Sequence, residues 1–122
     1  MSFQSILRRF LQSTPKAIGA IFIDHEGESV DFWTERVFDI GAHGLRVIGA
    51  YQSMYIAQVE RICKKIVAGK PLRLVLDFEH ARVITWHLKE NYYLVVIAEQ
   101  DSHEEILLKR LSACRDRLLK EL

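Results

Sequence analysis

One segment, from Arg36 to Val67, limits what this chain can fold into more than any other: it reads as a single long helix whose apolar arc is too wide for one supporting surface. Stepped at about 100° per residue, Val37, Gly41, Gly44, Ile48, Tyr51, Tyr55, Val59, Ile62 and Ile66 fall into one stripe. Phe38, Leu45, Gly49, Ile56, Cys63 and Val67 form a flank beside it. A helix resting on one core needs an apolar face of roughly 100°, and this one spans roughly 200° on the same wheel. At about 1.5 Å per residue the helix would run roughly 45 Å, longer than the about 35 Å breadth expected of a domain this size. Such a helix is expected to be covered twice, once by its own domain and once by another chain.

The 122 residues suit one domain spanning 1–122, and half of them are apolar, enough for a substantial core. Seventeen basic against sixteen acidic residues give a formal net charge of +1, which argues against nucleic acid as the partner. No apolar run approaches the roughly 20 residues needed to span a bilayer, and the N-terminus has no secretory pattern. Cys63 and Cys114 each fall on or beside the apolar face of a helix and read as reduced core thiols, which points to a cytoplasmic protein.

Around the long helix the pattern alternates between helix and strand periods. Ser2 to Gln12 is a helix with Phe3, Ile6, Leu7 and Phe10 on one face, Ser2 as N-cap and Pro15 as its stop. Ala17 to Ile23 is a continuous apolar run that suits a strand buried on both faces. Asp24-His25-Glu26-Gly27 is a turn into a second strand, Ser29 to Trp33, and the two form a hairpin. Gly69 and Pro71 close the long helix. Leu72 to Phe78 alternates, with Leu72, Leu74, Leu76 and Phe78 on one side and Arg73, Val75 and Asp77 on the other. Arg82 to Leu88 and Tyr92 to Ala98 complete a meander. Asp101 to Leu122 is a helix with a leucine stripe, opened by a capping box of Ser102 and Glu105.

The fold class that follows is α+β, an α/β sandwich in the order α-β-β-α-β-β-β-α. A five-stranded antiparallel sheet carries the one long helix on one face and the two others on the opposite face.

That order resembles the roadblock / dynein light chain family. The matching pieces are Gly19-Ala20-Ile21-Phe22-Ile23-Asp24-His25-Glu26-Gly27, the long alanine- and glycine-bearing helix, Leu74-Val75-Leu76-Asp77-Phe78, and Leu94-Val95-Val96-Ile97-Ala98 followed at once by an acidic helix cap and a leucine-striped helix. The resemblance departs from the family pattern at Glu79-His80-Ala81, which lacks the usual glycine, and at the bulky Tyr92-Tyr93. It implies the sheet order second, first, fifth, fourth, third strand, with the third strand at an edge. It also implies self-pairing through that edge and through the long helix, as a homodimer with a ten-stranded sheet. Family members act as adaptors or regulators of small Ras-like GTPases, and bacterial ones include GTPase-activating proteins of polarity and gliding systems.

On this footing the expected dimer interface is Leu45, Gly49, Gln52, Ser53, Ile56 and Cys63 on the helix with Arg73, Val75 and Asp77 on the edge strand. Glycines inside a helix cost about 1 kcal/mol each against alanine, so Gly41, Gly44 and Gly49 need close packing to offset them. Their neighbour would be either a second copy or the chain's own sheet. A GTPase would dock on His43, Arg46, Ala57, Glu60, Arg61 and Lys64, unless these are simply the solvated face. The charges are unevenly placed: Asp24, Glu26, Glu28, Asp31 and Glu35 make the hairpin acidic, while Lys64, Lys65, Lys70 and Arg73 gather at the far end of the helix.

No catalytic constellation stands out. His25, His43, His80, His87 and His103 lack zinc spacing, and no phosphate-binding glycine loop is present. No metal or cofactor is expected. Acceleration of GTP hydrolysis, if the chain provides it, would come from ordering the GTPase's own groups, since no motif marks Arg36, Arg46 or Arg61 as an inserted arginine. The expected function is thus a non-enzymatic adaptor or regulator. The competing classes are a cytoplasmic ligand-sensing domain, which requires a closed pocket with convergent polar groups, and a purely structural scaffold subunit.

Overall fold

The computed structural model describes residues 2–34 and 41–122. The expected first turns of the long helix, with Arg36, Val37, Phe38 and Asp39, and the acidic Glu35 lie outside them. The elements are α1 (Phe3–Ser13), β1 (Ala17–Ile23), β2 (Ser29–Thr34), α2 (Gly41–Lys65), β3 (Arg73–Asp77), β4 (Ala81–His87), β5 (Tyr93–Glu99) and α3 (Glu104–Glu121). The five strands form one antiparallel sheet in the order β2-β1-β5-β4-β3, as the resemblance implies. β1 and β5 are its centre, and both are buried almost throughout.

Local chemistry places the elements. Ser2 caps α1 by accepting a hydrogen bond from the Ser5 amide at 3.1 Å. The Asp24 carboxylate accepts from the amides of Glu26 and Glu28 at 2.9 and 3.0 Å, and Gly27 takes the positive φ (81°) that closes the β1–β2 turn. At the β3–β4 turn, Phe78 N–H donates to Ala81 across Glu79 and His80. Neither of these two takes a positive φ, so this turn has no need of the missing glycine.

Alternation along the strands sends side chains into two cores. On one face Phe22, Ile84, Leu94 and Val96 pack against Leu7 and Phe10 of α1 and against Leu107, Leu111 and Leu118 of α3. On the other Ile21, Ile23, Val83, Val95 and Ile97 pack against Leu45 and Ile56 of α2.

Two helix ends differ from expectation. Gly69 does not close α2. Val67 takes the left-handed position (φ 55°), and the Ala68 amide donates back to the Cys63 carbonyl at 3.0 Å, the long-range bond of a Schellman ending. The capping box at α3 does not form. The Ser102 amide is drawn into a turn with the Glu99 carbonyl at 3.0 Å, so the helix begins later, after His103, with no side-chain cap. The Ser102 hydroxyl ends up buried without a hydrogen-bond partner among the described residues.

Candidate functional site

α2 lies over β1 and β2 and leaves β3 and β4 largely open on its side of the sheet. The row seated on the sheet is Leu45, Gly49, Gln52 and Ile56, all buried. A Cβ at Gly49 would stand 3.0 Å from Ile23 Cγ2, so this glycine lets the helix rest on the chain's own strand. The β1–β2 turn tucks in alongside: a Cβ on Gly27 would stand 2.9 Å from the Ala50 Cα and 3.2 Å from Ser53 Cβ, and the Ser53 hydroxyl donates to the His25 carbonyl at 2.8 Å. Leu45, Gly49, Gln52 and Ile56, expected at a dimer contact, are therefore spent inside the protomer. Small side chains here serve the domain's own packing, because the seated row is buried against the chain's own sheet.

Turned away from that seat, the broad stripe keeps its apolar groups in solvent. Tyr51 is 52% exposed, Ile62 57%, and Met54 and Tyr55 are exposed too. The rings of Tyr51 and Tyr55 stack with centroids 6.4 Å apart. Across from them, on the same side of the sheet, β3 and its flanks present Leu72 (66% exposed), Leu74, Leu76 and Phe78 (53% exposed). Register puts Leu74 opposite Thr85 and Leu76 opposite Val83, which fixes the face, since directly paired residues share one. The expected alternation of this strand thus holds, but its apolar side meets an uncovered space.

That space is an open trough. At one end Tyr51, Tyr55, Phe78, His80, Val83 and Ile97 surround about 430 Å³. At the other, Val59, Leu72, Leu74 and Tyr93 close down on about 20 Å³. Its floor holds the few polar groups and satisfies them locally. Thr85 donates to Gln52 Oε1 at 3.0 Å, and the Tyr93 hydroxyl donates to Glu60 at 3.1 Å. Burial first, then the Glu60 carboxylate, pushes the Tyr93 phenol up to about 12. An open, apolar trough of this kind differs from the closed pocket with convergent polar groups that a ligand sensor needs.

On the edge strand, Arg73, Val75 and Asp77 point to the other side. Val75 packs against the α1–α3 core, Arg73 lies 4.9 Å over the Trp86 ring, and Asp77 accepts from Arg82 Nε at 2.6 Å. β3 is paired only with β4, leaving its outer backbone edge open among the described residues. Cys63 is half-buried beside α2's end.

Of the expected docking residues, His43, Ala57, Arg61 and Lys64 are exposed, and Arg46 is exposed with its guanidinium 5.1 Å over the Phe32 ring. Glu60 is half-buried and held by Tyr93. The other five are thus more accessible than Glu60. The described histidines, cysteines and carboxylates make no group of three able to hold a metal, and no helix among the described residues is long and apolar enough to cross a membrane. Periodicity alone does not single out Met54, Leu72 or Phe78. Only the position of α2 over β1 and β2, away from β3, shows that they stay uncovered.

No protein-family profile matches the chain, and no curated protein matches it in sequence. Solved structures do match. A Roadblock/LC7 domain from Streptomyces avermitilis superposes with a TM-score of 0.83 over 94% of this chain and 92% of that one, at 10% identity. Myxococcus xanthus MglB gives 0.84 over 97% and 92%, at 13% identity. MglC from Myxococcus xanthus gives 0.70 over the full length of both chains, at 18% identity. At such low identity the likeness speaks for architecture, and it bears out the resemblance that the element order carried: this chain has the Roadblock/LC7 fold.

Proposed function

We propose that the chain works as a pair of identical copies joined through the outer stripe of α2 and the open edge of β3, and that the pair is a cytoplasmic adaptor or regulator of a small Ras-like GTPase with no active site of its own. One observation carries the pairing: exposed apolar groups stand on both sides of the trough, Tyr51, Tyr55 and Ile62 on α2 and Leu72 and Phe78 on the flanks of β3, beside an unpaired strand edge. Exposed apolar surface of this extent marks an interaction site, and an unpaired edge is a template for another strand. A second copy supplies both a helix stripe and an edge in one two-fold contact. The contact would thus centre on Tyr51, Tyr55, Ile62, Leu72 and Phe78, with the edge strand's Arg73, Val75 and Asp77 alongside, rather than on the seated row.

The GTPase reading rests on the family resemblance and on the fold shared with MglB. The exposed outer residues of α2, His43, Ala57, Arg61 and Lys64, supply the docking face. The chain's contribution would be to order the GTPase's own catalytic groups.

Light scattering on the eluting protein tests the pairing: twice the chain mass is expected, and a monomer at micromolar concentration overturns it. Phosphate release from the Ras-like GTPase encoded nearest to this chain tests the regulation. Faster release that is lost in Arg61→Ala/Lys64→Ala supports a regulator; binding with no rate change points to a scaffold.

A further inference from the structure

The opposite face of the molecule carries a second recess, and nothing in the pairing reading uses it. α1 and α3 lie side by side there. α1 contributes Arg9, Phe10 and Ser13, and α3 contributes Arg110, Ala113 and Arg117, around a trough of about 140 Å³. Within each helix these positions follow the three-and-four spacing that puts residues on one stripe, so two stripes face each other across the gap. The floor is apolar and sealed, with Phe10 buried between them. The rim holds three guanidiniums and no carboxylate.

Most other described arginines are engaged. Arg82 is paired with Asp77, Arg115 donates to the His87 carbonyl at 2.7 Å, and Arg8, Arg46 and Arg73 each lie over an aromatic ring. Arg9, Arg110 and Arg117 have no hydrogen bond or ion pair among the described residues. α1 contains no acidic residue that might neutralise them. Three unpaired guanidiniums converging on one apolar slot is an arrangement with a missing anionic partner.

We propose that this α1–α3 trough binds an acidic segment of a partner protein, with carboxylates on the three arginines and a small apolar side chain on the floor. Three features select this occupant. The planar guanidinium fork matches a carboxylate in two-point fashion. The slot is concave, with a volume of about 140 Å³, which suits a side chain of a polypeptide; a flat bilayer surface would touch only its rim. The chain as a whole has a formal net charge of only +1 and lacks the broad basic excess of a nucleic-acid-binding chain. Arg110 and Arg117 sit two turns apart, about 10 Å along α3. That spacing fits acidic residues three apart in a polyproline II segment, which has about three residues per turn and rises about 3.1 Å per residue. Because α2 lies on the other face of the sheet and β3 at its edge, pairing through them leaves the trough open, and each copy offers one.

The test uses the full chain and a fluorescein-labelled peptide with glutamate at every third position and alanine or leucine between. Its glutamine counterpart, phosphatidylserine-containing vesicles and a single-stranded oligonucleotide serve as competing probes. Fluorescence anisotropy is expected to show binding of the glutamate peptide that weakens about tenfold in Arg110→Gln/Arg117→Gln. Binding should be unchanged in Lys109→Gln/Lys120→Gln, which removes equal charge outside the slot. The charge-reversed Arg110→Glu/Arg117→Glu should instead prefer a lysine version of the peptide, provided its circular dichroism matches the parent. Equal binding of the glutamine peptide, equal loss in the lysine control, or tighter binding of vesicles or oligonucleotide would each overturn the proposal.

Discussion

The two faces of this sheet are built from the same strands by the same alternation, yet they end differently covered. Against the α1–α3 face, two helices share the work, and the core they enclose runs from Phe22 on β1 to Ile84 on β4, with Val75 of the edge strand packed on its margin. Against the other face lies a single helix, displaced toward β1 and β2, and its core stops at Val83. Leu72 and Phe78 have no cover on that side. Two helices at the usual spacing of 8–10 Å span more of a sheet than one. The uncovered strip is therefore a matter of width, and it leaves apolar side chains exposed at the edge of the sheet.

Substitutions can break or sharpen this contrast. The largest effect is expected on the closed face. Leu111→Ala empties a fully buried site between α3 and the sheet and should cost about 2–5 kcal/mol in urea unfolding. Next comes the seat of α2: Gly49→Val puts atoms within 3.0 Å of Ile23 and should cost about 1–3 kcal/mol. A protomer that tolerates Gly49→Val would mean the helix is not clamped to its own sheet. Smaller and opposite in sign is Val67→Gly. It relieves a β-branched residue held at φ 55° and gives up little burial, since Val67 is 90% exposed. It should raise stability by about 0.5–1 kcal/mol. The smallest effect on the protomer is expected on the open face, where Phe78→Ser should move the stability of the single copy by less than about 0.5 kcal/mol while abolishing pairing in light scattering. Loss of folding in that variant would erase the distinction between the faces.

Each face also carries one group that resists ionisation. Burial lifts the Cys114 thiol on the closed face from 9.0 to about 12. On the open face the Tyr93 phenol rises from 10.0 to about 12, by burial and the Glu60 bond. The folded state holds both protons more tightly than the unfolded chain does. Their contribution is thus fully present below the unfolded values and is lost as pH climbs from about 9 toward 12. Tyr93→Phe and Cys114→Ala should each flatten the fall of stability with pH in that range, as followed by circular dichroism.

Element order and strand boundaries were legible because each rests on local chemistry: Pro15 after α1, the Asp24–Gly27 turn, the unbroken apolar runs of β1 and β5. The sheet order came from the family resemblance. The helix ends were less so. Ser102 and Glu105 spell a capping box, but a competing turn back to Glu99 takes the Ser102 amide first. Gly69 is the better left-handed residue by type, but the helical ladder gives out two residues earlier, at Val67. Four of the helix residues expected at a contact surface lie instead against the chain's own sheet. Leu45, Gly49 and Ile56 are apolar or small in the manner of an interface, and they are equally what a helix needs to sit on its own strand. The α1–α3 trough was not visible at all, because Arg9 and Arg110 lie 101 positions apart in the chain and meet only across two packed helices.

By itself, then, the order of residues determined the periods, the turns and the excess of apolar surface on the long helix, since these depend on neighbours within a few positions. Which part of that excess is spent inside the molecule was decided by tertiary packing alone. A helix wheel gives directions around an axis, and only the lateral placement of that axis over the sheet says which direction meets β1 and which meets water.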